Sequence, residues 1–429
     1  MGKIVLNEMR IRDNRIDYWF DVPEELKRFF KYGTHLFVQY DRDISGVPEG
    51  ILIIPFVSAI LPLSWLTDTF ICIPALDSVF FESALRLREA YRRMYPCCPL
   101  NGGLLPTRIE DNRKCTEYVG RSAQMYTSGM DAMTTFIRHR EEKPLLIQEY
   151  GKFDDTIVAD GNYERDERSE RAYQSDRQVA QAFAESNYTK ATFIRSNYCN
   201  LIPFSAVDKV YSRLMGDTFW HGIQHAVVIL GVAVPVAYAE GVGTLYIASS
   251  NFPGRKVTCA SDPTTDNEFR FANCQVHHDG YELTDEDKAQ LVVNFQRKTN
   301  NQVQLRVCSW NDHNCCACEK CLRRMLQISA EGGDPHDFGF SYPQRLLEQT
   351  KGFMYDNVQF MTELNIVTWK SCIARMQENY DNVFDKRVAD FLRDYDFERE
   401  KKKGLWRYYR RNFFSIIKRK IKGLLTKGK

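Results

Sequence analysis

The chain has 429 residues, of which 44% are hydrophobic and 13% aromatic, enough for two or three packed domains, and this excludes a globally disordered chain. The net charge of +2 hides an asymmetry. Residues 401–429 hold twelve Lys and Arg and no acidic residue, so residues 1–400 carry a formal charge of −10. An acidic body suits nucleic acid poorly, and we expect no specific nucleic-acid partner. The N-terminus lacks the apolar core of a secretory signal, which favours a cytoplasmic location.

Residues 1–118 are predicted to form a smaller α+β module. The segments "IDYWFDVP" and "THLFVQYDRD" are typical of strands. The continuous apolar run in "EGILIIPFV" is interpreted as a buried strand. The segment "SVFFESALRLREAYRRMY" has helical spacing and ends before Pro96, where a connector rich in Pro and Gly begins.

Residues 119–335 alternate predicted strands with predicted helices. The strands include "KPLLIQEYG", "KATFIRSN" and "GTLYIASS", and the helices include "SDRQVAQAFAESN" and "WHGIQHAVVILGVA". This alternation predicts an α/β fold, with a parallel sheet covered by helices on both faces. Residues 336–398 are predicted to be a helical C-terminal region, and residues 399–429 a basic amphipathic tail.

The stretch "AQMYTSGMDAMTTF" places small residues between a short apolar strand and a helix. Thr127, Ser128 and Gly129 are followed by Asp131 at the start of the helix. A phosphate-binding loop needs free backbone N–H groups, small side chains and a helix N-terminus behind it. An ordinary tight turn between strand and helix produces the same pattern, so the loop alone indicates nucleotide binding only weakly.

Two further pairs of residues are candidates for lining a ligand crevice. Ser249 and Ser250 end a predicted strand and could face a bound nucleotide, although a simple loop start is an equal alternative. His221 and His225 share one helix face, but Gly222 stands where the metalloprotease motif has Glu. That departure favours a packed or pocket-lining helix over a metal site.

Five of the thirteen cysteines crowd into residues 308–321, and four of them have the spacing C-x6-C-x2-C-x2-C. The four are Cys308, Cys315, Cys318 and Cys321. Four thiolates at this spacing predict a structural, tetrahedral zinc site. The alternative is a set of reduced buried thiols. Cys316 is either a spectator or an alternative ligand, and His313 is a weaker rival.

The stretch "YTSGMDAMTT" resembles the PP-loop of the adenine-nucleotide α-hydrolase superfamily, whose pattern is Ser-Gly-Gly-x-Asp-Ser. Gly129 and Asp131 match, and Thr127 stands for the first Ser, whereas Ser128 replaces the first Gly and Ala132 the final Ser. The resemblance implies a Rossmann-like (HUP-type) domain that uses ATP and Mg²⁺ to adenylate a substrate. It also implies that residues 127–129 hold the pyrophosphate and that Asp131 has a catalytic, positioning role.

The cysteine cluster following such a loop resembles the arrangement of 7-cyano-7-deazaguanine synthases. The segment "CEKCLRRML" is similar to the corresponding motif in uncharacterised bacterial relatives of these synthases. Other blocks of this chain also resemble those relatives: "EYGKFD", Arg195 with Asn197, Trp220 with Gly222, and "YIASS". The resemblance covers residues 119–335 and implies adenylation of a small-molecule or sugar-type substrate, followed by nitrogen transfer. The two loop substitutions leave an alternative: a degenerate relative that serves as a zinc-stabilised binding or scaffold protein.

The tail has apolar residues at helical spacing with Lys and Arg filling much of the rest. The apolar stripe comprises Trp406, Tyr409, Phe413, Ile417, Ile421 and Leu424. This composition predicts that residues 401–429 lie on an anionic membrane surface, which places the protein peripherally at the inner face of the membrane and hints at a polysaccharide pathway. A partner-binding helix and an RNA-binding arm are the alternatives, and a homodimer stays open.

Overall fold

The computed structural model divides the chain into two compact units, residues 1–284 with 299–306, and residues 285–298 with 307–429. The structure describes residues 2–115, 120–152, 156–157, 163–164, 167–255, 257–299, 301–308 and 311–426. For residues 156–157, 163–164, 167–169 and 413–426 it describes the backbone alone.

The first unit is built on one sheet of eleven strands in the order β12-β13-β11-β6-β7-β10-β3-β2-β1-β4-β5, and β8 pairs only with β9. The strands are β1 (Lys3–Arg12), β2 (Arg15–Asp21), β3 (His35–Tyr40), β4 (Phe70–Asp77), β5 (Gly103–Glu110), β6 (Arg121–Met125), β7 (Leu145–Tyr150), β8 (Thr156–Ile157), β9 (Tyr163–Glu164), β10 (Ala191–Ser196), β11 (Val242–Ala248), β12 (Arg270–Phe271) and β13 (Cys274–Asp279).

Helices connect these strands and make up most of the second unit. In the first unit they are α1 (Glu49–Leu52), α2 (Ile54–Leu66), α3 (Ser78–Met94), α4 (Met130–His139), α5 (Glu167–Ser186), α6 (Tyr198–Leu201), α7 (Phe204–Met215), α8 (His225–Ala239), which follows a π-helical turn (Trp220–Gln224), and α9 (Pro263–Asp266). They continue with α10 (Asp285–Thr299), α11 (Glu319–Ala330), α12 (Leu346–Asn357), α13 (Glu363–Glu378), α14 (Lys386–Arg393) and α15 (Phe397–Thr426).

The predicted α/β class is confirmed, since the sheet is large, mostly parallel and connected by helices. The strands predicted in "KPLLIQEYG", "KATFIRSN" and "GTLYIASS" are β7, β10 and β11. The strand predicted in "EGILIIPFV" is wrong, because that run forms α1 and the start of α2. A short run that is apolar throughout fits a buried helix as well as a buried strand, and Pro55 is tolerated in the first turn of α2.

The two compact units differ from the domain boundaries expected at residues 118 and 335. Strand β3 pairs antiparallel with β10, with Tyr40 opposite Ile194. Backbone hydrogen bonds therefore join the N-terminal strands to the same sheet as the later ones. The four predicted zinc ligands belong to the second unit, together with the C-terminal helices.

Two apolar helices, α2 and α8, form much of the core of the first unit. All thirteen residues of α2 are buried. Gly231 of α8 lies so close to Ser58 of α2 that an added Cβ would stand 2.2 Å from the Ser58 side chain. Within the described residues one helix, Trp220–Ala239, is long and apolar enough to cross a membrane, and most of it is buried inside the protein.

The sheet curves back on itself, because residues near opposite ends of the strand order are hydrogen-bonded. The carboxylate of Asp77, at the end of β4, accepts a bond of 2.9 Å from the backbone N–H of Ala272, between β12 and β13. The same carboxylate oxygen accepts the N–H of Phe80 and thereby caps α3.

Five neighbouring strands, β13, β11, β6, β7 and β10, are parallel. From β6 the chain moves to β7 and β10 on one side, and it then returns to β11 and β13 on the other. The strand order therefore reverses between β6 and β11. In open parallel sheets, ligands bind in the crevice beyond the carboxyl ends of the strands at such a reversal.

Candidate functional site

The loop that joins β6 to α4, residues 127–129, lies at this reversal. Thr127 is exposed, Ser128 is fully buried and Gly129 is half-buried. Gly129 is extended (φ −78°, ψ 166°) and forms the N-cap of α4. The first-turn N–H groups of α4 have no partner within the helix, and together with the helix dipole they favour an anion.

Ser128 has a backbone conformation that glycine favours. Its φ is +54°, in the left-handed region where a side chain costs about 1–2 kcal/mol. The side chain points inward rather than into the crevice, because Ser128 is 0% exposed. Its hydroxyl lies near that of buried Tyr126, and neither has a hydrogen bond of ordinary geometry. The Cβ that replaces a glycine hydrogen therefore does not cover the loop surface.

A segment from the end of the first unit fastens this loop. The N–H of Arg306 donates to the carbonyl of Ser128 at 2.8 Å, and Arg306 Nε donates to Asp176 Oδ1 at 2.7 Å. Within the loop, the Gly129 N–H points at Thr127 Oγ1 over 3.4 Å. Because that contact is long, the Gly129 N–H can still turn to a ligand.

Asp131 and Ala132 begin α4. Asp131 is half-buried in the first turn, where a carboxylate interacts favourably with the helix dipole. Ala132 is buried, so the residue that replaces the final Ser of the PP-loop pattern faces the protein interior.

The sheet register brings Ser249 beside the loop. Tyr246 of β11 pairs with Gln124 of β6, and Ser249 and Thr127 each lie three residues further along. Ser249 is nonetheless buried, and its hydroxyl donates to the carbonyl of Asn251 at 2.8 Å. Ser250 is exposed. Ser249 therefore stabilises the turn after β11 at the edge of the crevice.

Two hydrogen-bonded polar pairs involve residues near the carboxyl ends of β7 and β10. Arg195 Nη2 donates to Glu170 Oε2 at 3.0 Å, and Tyr198 Oη donates to Glu149 Oε2 at 2.5 Å. Burial raises the pKa of Glu149 to about 7, although the Tyr198 hydrogen bond opposes this. Residues 153–154 of the "EYGKFD" block lie outside the described residues.

The far end of α4 is fixed by Asp279, the last residue of β13. Its carboxylate accepts from Thr135 at 2.9 Å, and His139 Nε2 lies 3.1 Å away. Although burial opposes the effect, hydrogen bonds from His139 and Thr135 lower the pKa of Asp279. The Asp279 carbonyl also accepts the N–H of Ser249 at 2.8 Å. Asp279 therefore connects α4 with the loop after β11.

The four predicted zinc ligands converge in the second unit. The sulfur atoms of Cys308, Cys315, Cys318 and Cys321 all lie within 4.8 Å of one another. Tetrahedral zinc with Zn–S bonds of about 2.3 Å places neighbouring sulfurs roughly 3.8 Å apart. The Cys315 and Cys321 sulfurs are 3.9 Å apart. This arrangement is compatible with structural zinc binding.

Local structure explains how the cysteines meet. Cys318 is the N-cap of α11 and Cys321 lies in its first turn, so both sulfurs are near a helix N-terminus. Hydrogen bonds from Cys321 lower the pKa of Cys318 to about 5, against the effect of burial. The side chain of Asn314 accepts hydrogen bonds from the N–H groups of Val307 and Cys308 at 3.0 and 3.3 Å. These bonds hold Cys308, the ligand furthest from α11 in the chain, in place.

Cys316 and His313 are not members of the four-sulfur group. Cys316 has a left-handed backbone (φ +53°), and its sulfur contacts the carbonyl of Asn314 at 3.4 Å. Burial raises the pKa of Cys316 to about 11. His313 is 72% exposed and pairs with Asp312. Of the alternatives open for Cys316, the structure favours a spectator.

The basic tail is helical as far as Thr426 in α15. Its first turns pack on the second unit, where Tyr408 meets Phe360 edge-on at a centroid distance of 5.2 Å. Trp406 and Tyr409 are 63% and 57% exposed. The side chains of the stripe from Phe413 onward lie outside the described part of the chain.

Comparisons of this chain with protein-family models, with curated proteins and with solved structures found no match.

Several polar residues of the site were not predicted from the sequence, among them Glu149 near the end of β7 and Asp176 and Arg306 beside the loop. An acid inside the apolar strand "KPLLIQEYG" was a signal for Glu149. No local pattern marked Asp176 or Arg306, which are 130 residues apart in the chain. Cys259 was likewise not predicted as a functional residue, because no neighbouring motif accompanies it in the sequence.

Proposed function

We propose that the first unit is an ATP-dependent, pyrophosphate-releasing synthase of the PP-loop type. In this proposal residues 127–129 and the N-terminus of α4 receive the pyrophosphate end of ATP. Asp131 positions Mg²⁺ or the loop, and a substrate oxygen is adenylated before a nitrogen nucleophile displaces AMP. The supporting observation is a loop of small residues before a helix N-terminus, located where the order of five parallel strands reverses between β6 and β11.

The strand order itself supports the HUP-type part of the proposal. Numbered from β6, the five parallel strands have the spatial order 3-2-1-4-5, which is that of doubly wound nucleotide-binding sheets. Ser128 replaces the first Gly of the PP-loop pattern, but its side chain points inward and leaves the loop surface open, which also supports the proposal.

Gly129→Ala gives the sharpest test of the loop. A Cβ at Gly129 would meet Thr127 Oγ1 at 3.2 Å and Arg306 O at 3.8 Å, so the variant is expected to fold with a small local shift. Its methyl group would occupy the surface on which phosphate must lie. We expect calorimetric titration with ATP and Mg²⁺ to detect binding to the parent protein and at least tenfold weaker binding to Gly129→Ala.

Two charge variants complement this test. Asp131→Ala should weaken binding in the presence of Mg²⁺, whereas Glu141→Ala should not, because Glu141 is an exposed acid beyond the opposite end of α4. If the parent protein binds no ATP at millimolar concentration, or if all three variants bind as the parent does, the proposal is wrong.

We further propose that the four cysteines hold one structural Zn²⁺. The ion would cross-link the segment around residue 308 with the N-terminus of α11, and it would have no open coordination position for catalysis. Metal analysis of purified protein should find one zinc per chain. Absence of zinc after refolding with excess metal would refute this proposal.

A degenerate relative that binds or scaffolds is the second candidate. The observation in its favour is that the loop already has partners within the protein: Arg306 bonds the Ser128 carbonyl, and Thr127 Oγ1 lies 3.4 Å from the Gly129 nitrogen. A protein of this kind would keep zinc but would neither bind ATP nor release pyrophosphate. The titration described above distinguishes the two candidates.

We also propose that α15 docks on anionic membranes through its exposed aromatic residues, at the inner face of the membrane. Sedimentation with vesicles of anionic and of neutral lipid tests this. Joint replacement of Trp406 and Tyr409 by Ala should reduce binding to anionic vesicles, whereas Tyr188→Ala, at an 84% exposed position in the first unit, should not. Equal sedimentation with both vesicle types would contradict docking through anionic lipid.

A further inference from the structure

Cys259, in the loop between β11 and α9, lies against two histidines. Its sulfur is 3.8 Å from Nε2 of His225, and its thiol interacts electrostatically with His221. All three residues belong to the first unit and are separate from the 127–129 loop in the chain.

A carboxylate and a carbonyl orient the two imidazoles. His221 Nδ1 lies 2.6 Å from Asp217 Oδ2, so the other ring nitrogen remains for the thiol. His225 Nδ1 lies 3.0 Å from the carbonyl of Trp220, which directs Nε2 toward the sulfur. A nucleophile, a base within reach of it and a third group that orients the base are the parts of an activated nucleophile.

The backbone around the cluster is held by several hydrogen bonds. His221 lies in the π-helical turn before α8, a kind of local irregularity that is frequent at functional sites. The N–H of Ala260 donates to the carbonyl of His221 at 2.8 Å, and Tyr91 Oη donates to the carbonyl of Ala260 at 2.8 Å. Tyr95 Oη donates to the carbonyl of Gly222 at 2.8 Å. These bonds fix the thiol relative to the imidazoles.

The charges in the cluster favour a thiolate. Although burial opposes it, hydrogen bonds from His221 and His225 lower the pKa of Cys259 to about 6. The bonds to Cys259 and Asp217 raise the pKa of His221 to about 9. Burial raises the pKa values of Tyr91 and Tyr95, so both phenols are neutral near pH 7.

The other titratable groups of the Cys259 cluster are His225, whose pKa is raised despite burial, and the carboxyl group of Asp266. The directions of these pKa shifts favour a thiolate paired with imidazolium near neutral pH. Cys259 itself is 6% exposed, whereas the His221 side chain is 46% exposed, so the cluster borders solvent on the His221 side.

We propose that Cys259, His225 and His221, with Asp217 orienting His221, form a nucleophilic thiol site for acyl compounds. The Cys259 thiolate attacks the carbonyl carbon of an ester, thioester or amide, a C–S bond forms, and the bond from that carbon to the leaving group breaks. His221 gives its proton to the leaving group, and Asp217 keeps the imidazole oriented. Water or an amine then displaces the acyl group from sulfur and returns a proton to His221, with no change of oxidation state.

Metal binding does not explain this cluster. Among the described residues, only the four cysteines of the second unit bring ligand atoms close enough together to hold a metal ion. Cys259 is a free thiol. The competing explanation is a structural ion pair with no chemistry of its own, and the experiments below separate the two.

The first experiment measures the rate of iodoacetamide labelling of Cys259 against pH, by peptide mass spectrometry on zinc-loaded protein. We expect a rate profile with its midpoint near pH 6, and a shift of the midpoint upward by at least one pH unit in His221→Gln. Asp217→Asn, which preserves shape, should shift it in the same direction. His336→Gln is the matched control, since His336 pairs with Asp334 in the second unit, and it should have no effect. A midpoint above pH 8 in the parent protein would overturn the proposal.

The second experiment tests acyl transfer itself with p-nitrophenyl acetate. We expect a burst of nitrophenolate of about one equivalent per chain that is absent in Cys259→Ser, together with an acetyl adduct on Cys259. Asp217→Asn should slow the burst at least tenfold and retain the alkylation of Cys259 at high pH. Rapid alkylation of Cys259 without any acetyl adduct identifies a structural ion pair and refutes the proposal.

Discussion

The backbone N–H of Arg306 donates a hydrogen bond of 2.8 Å to the carbonyl oxygen of Ser128. The same arginine is 11% exposed and is held by the carboxylate of Asp176. The shape of the 127–129 loop thus depends on a residue far away in the chain and on an ion pair that anchors it.

Asp176→Ala removes this anchor. We expect a loss of about 1–3 kcal/mol in the free energy of unfolding, because a largely buried guanidinium loses its charged acceptor. Affinity for ATP should fall with it, since the loop loses its support. Urea unfolding and calorimetry measure the two effects. Asp381→Ala, at a fully exposed side chain, should change the unfolding free energy by less than about 0.5 kcal/mol and serves as control.

Ser128→Gly should stabilise the protein. The left-handed backbone at this position penalises a side chain by about 1–2 kcal/mol, and glycine returns part of that gain through greater freedom in the unfolded chain. We expect a net increase of about 0.5–1 kcal/mol, observable as a higher Tm. A lower Tm would mean that the buried Ser128 hydroxyl makes a favourable interaction that its geometry does not indicate.

Replacing cysteines of the cluster one at a time should affect zinc binding differently. Cys308→Ser should lower the zinc content below one per chain and reduce Tm, because a tetrahedral site loses a thiolate. Cys316→Ser should keep the metal, since its sulfur is outside the group of four. Metal analysis and thermal unfolding with and without a chelator measure both variants. Zinc retained by Cys308→Ser and lost by Cys316→Ser would reverse the ligand assignment.

The pKa of about 7 for Glu149 makes a prediction about pH and stability. The pKa of a glutamate in an unfolded chain is about 4.3, so the folded state holds the proton more tightly. The stability that this proton provides is complete below about pH 4.3 and is lost as pH rises through about 7. We expect Glu149→Gln, in which the side chain stays neutral, to gain stability relative to the parent as pH increases across this range.

The gain of Glu149→Gln should level off above about pH 7, where the parent carboxyl is ionised. Urea unfolding at pH 5 and at pH 8 measures the difference. Equal effects at both pH values would show that the Glu149 carboxyl has an ordinary pKa. Tyr198 should remain a hydrogen-bond donor to either side chain.

The contact between α2 and α8 should tolerate no larger residue. Gly231→Ala places a methyl group 2.2 Å from Ser58, and overpacking of this kind costs about 1–3 kcal/mol. Gly352→Ala in α12 is the matched control, since nothing lies within 4 Å of the added Cβ. That control should gain about 0.5–1 kcal/mol from helix propensity. Thermal unfolding of the two variants should therefore give shifts of opposite sign.

The sequence determined most of the local elements and the cysteine cluster, although the apolar run in "EGILIIPFV" is helical rather than a strand. Alternating strands and helices predict an α/β sheet, and C-x2-C spacing brings two thiols to one turn, because both effects depend on residues close together in the chain. The loop at residues 127–129 was predictable for the same reason. Its biochemical role is a proposal that rests on this local pattern and on the strand order.

Only the tertiary structure decided which distant residues meet. The sequence predicted a separate N-terminal module, but antiparallel pairing of β3 with β10 joins those strands to one curved sheet. Arg306 reaches Ser128, and Cys259 reaches His225, through long-range packing that leaves no periodic signal. Apolar periodicity records only which face of an element is buried. The partners across that face are set by the burial and hydrogen bonding of the whole unit.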